Sequence, residues 1–156
     1  MSVRLADESI CAERELAELT AGLAGEGAVV SFLGVARTRS AGGEEVERLV
    51  LEHHPRLTQG SLDEIAAAAR ERFGLASLRI VHRRGAVIPG ETIVFAAAAA
   101  VHRRTAFDAV DYMMDRMKTD AVFWKREDTP EGSHWVEPRQ EDHEARARWS
   151  EAPCPE

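Results

Sequence analysis

Three observations predict a single mixed α+β domain. Short apolar runs of strand length alternate with stretches whose apolar residues recur at helical spacing. Of the 156 residues, 44% are hydrophobic and 30% charged, the balance of a folded, soluble chain. No internal repeat or low-complexity linker divides the sequence, and its length fits one core. Residues 1–149 are therefore expected to form one domain. Residues 150–156, with Pro153 and Pro155 around Cys154, are expected to form a flexible tail.

Residues Ala12 to Leu23 predict an amphipathic helix, with Leu16, Leu19 and Leu23 in register and glycines 25 and 27 beyond its end. Ala28 to Val35 is a nearly continuous apolar run, the signature of a buried strand. A polar loop from Arg37 to Gly43 follows, and Val46 to His54 alternates as a second strand. Pro55 opens a helix expected from about Thr58 to Phe73, its face carried by Leu62, Ile65, Ala66, Ala69 and Phe73, with Gly74 placed to stop it. Leu75 to Arg83 predicts a third strand, and Pro89-Gly90 a turn.

Thr92 to Phe95 then runs into five alanines. Propensity alone favours helix there. The β-branched entry and the preceding turn favour a close-packed central strand ending at Val101-His102. Thr105-Ala106-Phe107-Asp108 resembles a capping box, before a helix bearing Phe107, Val110, Met113, Met114 and Met117 and ending at Lys118. Phe123 to Glu127 predicts a short strand, Thr129 to Gly132 a turn, and Trp135-Val136 a return to apolar surroundings. Arg139 to Trp149 is expected to be a charged surface helix.

A formal net charge of −7 argues against general nucleic-acid affinity, which needs a broad cationic surface. Cys11 and Cys154 lie near opposite ends without metal-ligand spacing, so a reducing compartment is expected. The N-terminal residues lack an apolar signal core, and no stretch approaches the roughly 20 apolar residues of a membrane span. The expected location is the cytoplasm. His53, His54 and His82 lack a third ligand at zinc spacing. No nucleophile elbow, P-loop or dinucleotide glycine fingerprint is present.

Of 20 basic residues only Lys118 and Lys125 are lysines, and they stand seven positions apart. Arginine stays protonated in any protein site, whereas lysine can exchange its proton or attack a carbonyl. A chain so committed to arginine that keeps lysine twice in one short stretch marks that stretch for chemistry. Two further cationic clusters, Arg37 with Arg39 and His102-Arg103-Arg104, each follow a strand. The latter precedes a helix whose free amides would favour an anion. Any one cluster alone is more commonly a solvated surface, and Arg83-Arg84 is an equally basic pair without a functional argument. Met113, Met114 and Met117 are expected in the core. Phe123-Trp124 suits either the core or a flat ring ligand.

The motifs taken together resemble a known family. Phe32-Leu33-Gly34-Val35-Ala36-Arg37, Leu51-Glu52-His53-His54-Pro55, Ile80-Val81-His82-Arg83, Val101-His102-Arg103, Met114 to Thr119 and Phe123 to Glu127 follow one another as in the large, catalytic subunit of molybdopterin synthase. The likeness runs from about Ala28 to Trp149 and is most specific from His102 to Lys125. His54 stands where the family often has tyrosine. Asp120-Ala121-Val122 departs from its usual arginine-alanine-proline, placing a carboxylate near the lysines.

The resemblance implies an α/β hammerhead-like fold and a sulfurtransferase of molybdenum cofactor biosynthesis. Its substrate would be cyclic pyranopterin monophosphate, with no permanently bound cofactor and no metal. Its sulfur would come from the C-terminal Gly-Gly thiocarboxylate of a small ubiquitin-like subunit. It further implies a homodimer of the large subunit, a pocket drawing on both copies, and a heterotetramer with two small subunits, with no nucleic acid or membrane partner. Carried over by motif, Lys118 and Lys125 would be catalytic. Arg37, His102, Arg103, Arg126 and Glu127, with Arg139 and Met114, would bind substrate. From the residues alone, two other classes stay open: a non-enzymatic phosphate- or nucleotide-binding module, and an enzyme using lysine as a Schiff-base nucleophile.

Overall fold

The computed structural model describes residues 1–150. Among them, two four-stranded sheets and four helices form a mixed α/β arrangement, as the sequence predicts. The first sheet has the order β1 (Ser2–Ala6), β4 (Ser77–Arg83), β6 (Thr92–Ala100), β2 (Ala28–Val35). Its β1–β4 pair is parallel and the other two pairs are antiparallel. The second sheet has the order β5 (Gly85–Val87), β3 (Arg48–His53), β7 (Phe123–Thr129), β8 (Gly132–Val136), antiparallel throughout. The chain passes from one sheet into the other between β4 and β5, where Gly85 takes a positive φ of 73° that a side chain would oppose.

The alanine run is a strand, β6, and it is the most deeply buried one. Ala96 to Ala99 are 0% exposed because both faces of the first sheet are covered. On one face, α2 (Pro55–Phe73) and α3 (Arg103–Thr119) pack Leu62, Ile65, Ala106, Ala109 and Met113 over Leu78, Ile80 and Ala98. On the other, α1 (Ala12–Thr20) sets Leu19 with Val81, Phe95 and Ala97. The same helix buries Glu15 against Arg4 and Arg79, so the carboxylate enters the interior already paired. Helix propensity is overridden because only small side chains let helices close on both sides of this strand.

Several boundaries differ from expectation. Helix α1 stops at Thr20. Helix α2 begins at Pro55 itself, a favoured first-turn position, with the His54 ring accepting from the Leu57 N–H at 3.3 Å. The Thr105 capping box does not form: α3 starts at Arg103, with His102 as its N-cap and no side-chain cap bond. Trp135-Val136 does not re-enter an apolar environment, since every residue of β8 is exposed. Strands β1, β5 and β8 are additions to the sequence reading, and β2, expected to be buried, leaves Phe32, Leu33 and Val35 exposed.

Helix α4 (Gln140–Ala147) lies within the predicted charged stretch. It is anchored just past its end, where Arg148 bonds Asp111 and Asp115 and the Trp149 indole N–H donates to Asp115 at 2.6 Å. The Trp149 ring meets Phe73 and Tyr112 edge-on. The expected tail lies, apart from Ser150, outside the described residues.

Candidate active site

Where the second sheet leans on the C-terminal half of α3, a cleft of about 460 Å³ opens, within the usual range for a small-molecule site. Phe32, Leu33, Gly34 and Val35 of β2 line it, with Arg37 just beyond. Leu49 and Leu51 of β3, Ile93 and Val94 of β6, and Met114, Met117 and Lys118 of α3 contribute further. Strand β7 adds Phe123, Lys125 and Glu127, and Val136 to Asp142, except Gln140, complete the lining.

Strand alternation accounts for the β7 contribution, because residues two apart share a face. Phe123, Lys125 and Glu127 point into the cleft, and their neighbours point away. Trp124 is 52% exposed. Arg126 bonds Glu52 at 3.2 Å and Asp128 at 2.9 Å and lies over the Trp135 ring. Lys118 reaches the same cleft because the α3–β7 connection is pinned to α2. The Thr58 hydroxyl donates to the Val122 carbonyl at 2.6 Å, and the Val122 N–H donates to the Ser61 hydroxyl at 3.1 Å. The two lysines therefore share one site although one rides on a helix and the other on a strand.

Six of the nine residues singled out by sequence line this cleft: Arg37, Met114, Lys118, Lys125, Glu127 and Arg139. Arg126 does not. Nor do His102 and Arg103, which are exposed at the opposite end of α3. At 1.5 Å per residue the helix puts about 24 Å between His102 and Lys118. Asp120, which the sequence sets near the lysines, is held by Arg116 at 2.6 Å and Arg146 at 2.9 Å. Burial opposes its charge, but these bonds and one from Thr119 outweigh burial and lower its pKa.

Lys125 has its pKa lowered from 10.5 to about 8. Burial is the largest cause, followed by the charge of Lys118. Glu127 opposes the shift, Arg37 adds to it, and Asp142 opposes it. A lysine so placed exchanges its proton near neutrality, as general acid–base work requires. His82 of β4 is the site residue that sequence reasoning passed over. It lines the cleft and stacks on Phe123 with ring centroids 4.1 Å apart and planes 24° apart. Burial lowers its pKa to about 4, the Arg83 carbonyl bond opposes that, and Lys125 and Lys118 reinforce it. Its signal in the sequence was a polar residue on the strand face that carries Leu78 and Ile80.

Comparison with known proteins gives this cleft its context. The model of the MoaE protein family matches residues 5–120. The chain belongs to the MoaE family. The molybdopterin synthase catalytic subunit of Pseudomonas aeruginosa is 46% identical over 151 residues, covering 97% of this chain and all of that one. The protein of the same name from Escherichia coli is 46% identical over 124 residues, covering 80% and 82%. Among solved structures, a molybdopterin biosynthesis MoaE protein from Burkholderia ambifaria superposes with a TM-score of 0.81 at 37% identity, covering 96% and 98%. Molybdopterin synthase from Staphylococcus aureus superposes at 0.76 with 28% identity, covering 85% and 94%.

The family read from the motifs is thus the family found, and with it an enzyme of molybdenum cofactor biosynthesis. Among the described residues of this MoaE-family chain, no helix is long and apolar enough to cross a membrane.

Proposed function

We propose that the chain moves sulfur from the C-terminal thiocarboxylate of a small ubiquitin-like subunit onto cyclic pyranopterin monophosphate, building the dithiolene of molybdopterin. The observation that carries this reading is the meeting of the chain's two lysines in one cleft, with Lys125 brought to a pKa of about 8. In each transfer a carbon–sulfur bond to the pterin side chain replaces a carbon–oxygen bond, whose oxygen stays on the opened cyclic phosphate in one transfer and leaves as water in the other. The acyl carbon–sulfur bond breaks, and water supplies the oxygen of the carboxylate left on the partner. Lys125 takes and returns protons as water adds. Lys118, Arg37 and Arg139 hold the thiocarboxylate, the phosphate and the anionic intermediates by charge. The sulfur arrives from outside, so no cysteine of this chain takes part.

A homodimer accounts for His102 and Arg103. Both are exposed beside Val101 and Phe107, which are 63% and 56% exposed, so this end of α3 offers apolar surface together with cationic groups. Placed against a second copy, it would deliver His102 and Arg103 to the partner's cleft as phosphate ligands. The small subunit would then make this a heterotetramer. A structural neighbour from Helicobacter pylori, described as a complex of subunits 1 and 2 of molybdopterin-converting factor, shares the fold at a TM-score of 0.71 and 17% identity.

Reconstitution tests the reaction: the purified chain, the thiocarboxylated partner and the pterin substrate should yield molybdopterin, and no product would overturn the proposal. Mixing Lys125→Ala with Arg103→Ala chains tests the shared pocket. A mixed dimer regains one intact cleft only if Arg103 serves the other copy, so activity above either variant alone is expected, and none would place both residues in one chain's site. A Schiff-base enzyme would also use a lysine of lowered pKa; trapping of a carbonyl substrate by borohydride would favour it.

A further inference from the structure

Among the polar side chains lining the cleft, His82 alone is neither a lysine, an arginine nor a carboxylate, and sulfur transfer leaves it unused. Burial keeps its imidazole uncharged, with the pKa lowered to about 4. The imidazole is fixed on two sides. One ring face lies on Phe123, and Nδ1 sits 2.7 Å from the Arg83 carbonyl. A carbonyl only accepts, so Nδ1 carries the proton and Nε2 is left with a bare lone pair. Among the described residues Nε2 has no hydrogen-bond partner, yet it is not one of the nitrogens sealed from solvent. Its opening is the cleft that His82 lines.

We propose that His82 is a specificity-determining residue whose Nε2 accepts a hydrogen bond from a ring N–H of the bound pterin. The proposal rests on the function proposed above and names the contact that reads the ring rather than the phosphate. An uncharged acceptor is what this position needs. A further carboxylate beside Lys118 and Lys125, added to Glu127 and Asp142 of the same cleft, would hold their protons and repel an incoming thiocarboxylate. An imidazole kept neutral by burial and by the neighbouring lysines does neither. It also discriminates, because a ligand presenting a carbonyl at the same point would set two lone pairs against each other. The Phe123 stack and the Arg83 bond leave the ring no freedom to turn its N–H outward.

The test measures dissociation constants for cyclic pyranopterin monophosphate and, separately, for the small subunit. His82→Phe keeps the stack and removes the acceptor; His82→Gln restores an acceptor without a titrating ring. The phenylalanine variant should bind the pterin about tenfold more weakly, bind the small subunit as wild type does, and be largely rescued in the glutamine variant. Wild-type pterin affinity in His82→Phe would overturn the proposal, as would equal loss in both variants, which marks a packing role. Should the variants fail to fold, the ¹⁵N resonance of Nε2 in the wild-type protein decides: it should move on pterin addition, and an unmoved resonance refutes the contact. Failure of the wild-type protein to bind the pterin at all would instead overturn the functional reading on which this contact rests.

Discussion

Replacing Lys125 by methionine should raise the stability of the protein while abolishing its activity. The folded state lowers the Lys125 pKa from 10.5 to about 8, chiefly by burial. Each unit is worth about 1.4 kcal/mol, so holding the ammonium in place costs up to about 3 kcal/mol below pH 8. Lys125 keeps an edge on the open cleft, where solvent screens part of that cost, and about 1–2 kcal/mol is the working figure. Methionine fills the same volume without a charge. For a domain of this size about 2–4 °C per kcal/mol follows, a melting-temperature gain of roughly 2–8 °C at pH 7.

The sign is checked by pH. A base whose folded pKa is depressed binds fewer protons folded than unfolded between pH 8 and 10.5. Wild-type stability therefore recovers relative to the variant across that window, and the gain should shrink as pH rises through it. Scanning calorimetry of both proteins from pH 7 to 10.5 makes the measurement. A Lys125→Met protein no more stable at pH 7, or a gain that ignores pH, would refute the buried-ammonium account.

Lys118→Arg should keep the fold and most pterin binding while losing at least ~100-fold in sulfur transfer, because charge survives and the exchangeable proton does not; near wild-type turnover would end the proton-transfer role. Asp120→Asn should destabilise the protein by about 1–2 kcal/mol through its bonds to Arg116 and Arg146, read by urea unfolding at pH 7. Its lowered pKa makes that contribution present above about pH 4 and lost as pH falls through the folded value, so the two proteins should converge in acid. Gly34→Ala should cost about 1–3 kcal/mol and weaken pterin binding, since a Cβ there would lie 2.6 Å from Val94 Cγ1 and 3.3 Å from the Phe32 ring on the cleft wall. An unchanged unfolding midpoint would show that Val94 gives way.

The sequence carries elements well where one residue pattern decides them. The periodic faces of α2 and α3 and the β-branched entry to β6 are cases of this kind. Strands β1, β5 and β8 were invisible for a common reason: each is short and is defined by the ladder it joins. β8 in particular buries no side chain, and backbone bonds to β7 alone make it a strand. The site divides in the same way. Lys118 and Lys125 were legible as a rare residue type kept in one short stretch, and Arg37 as part of a cationic cluster after a strand. His82 was not, because its meaning depends on Phe123 arriving from 41 positions away to close one face of the ring. His102 and Arg103 were legible as a cluster, while the length of α3 that separates them from the lysines belongs to geometry.

The two lysines belong to different layers of the molecule, Lys118 to the helix over the first sheet and Lys125 to the second sheet. The pinned Thr119–Val122 connection and the apolar seam at Phe123 help set their spacing. Any anion gripped by both ammonium groups consequently fastens the layers to each other, and amide exchange along β7 should slow when one binds. The reverse holds as well: whatever pries the seam open disarms the chemistry without touching a reactive group, so a compound wedged between α3 and β7 would inhibit by distance alone.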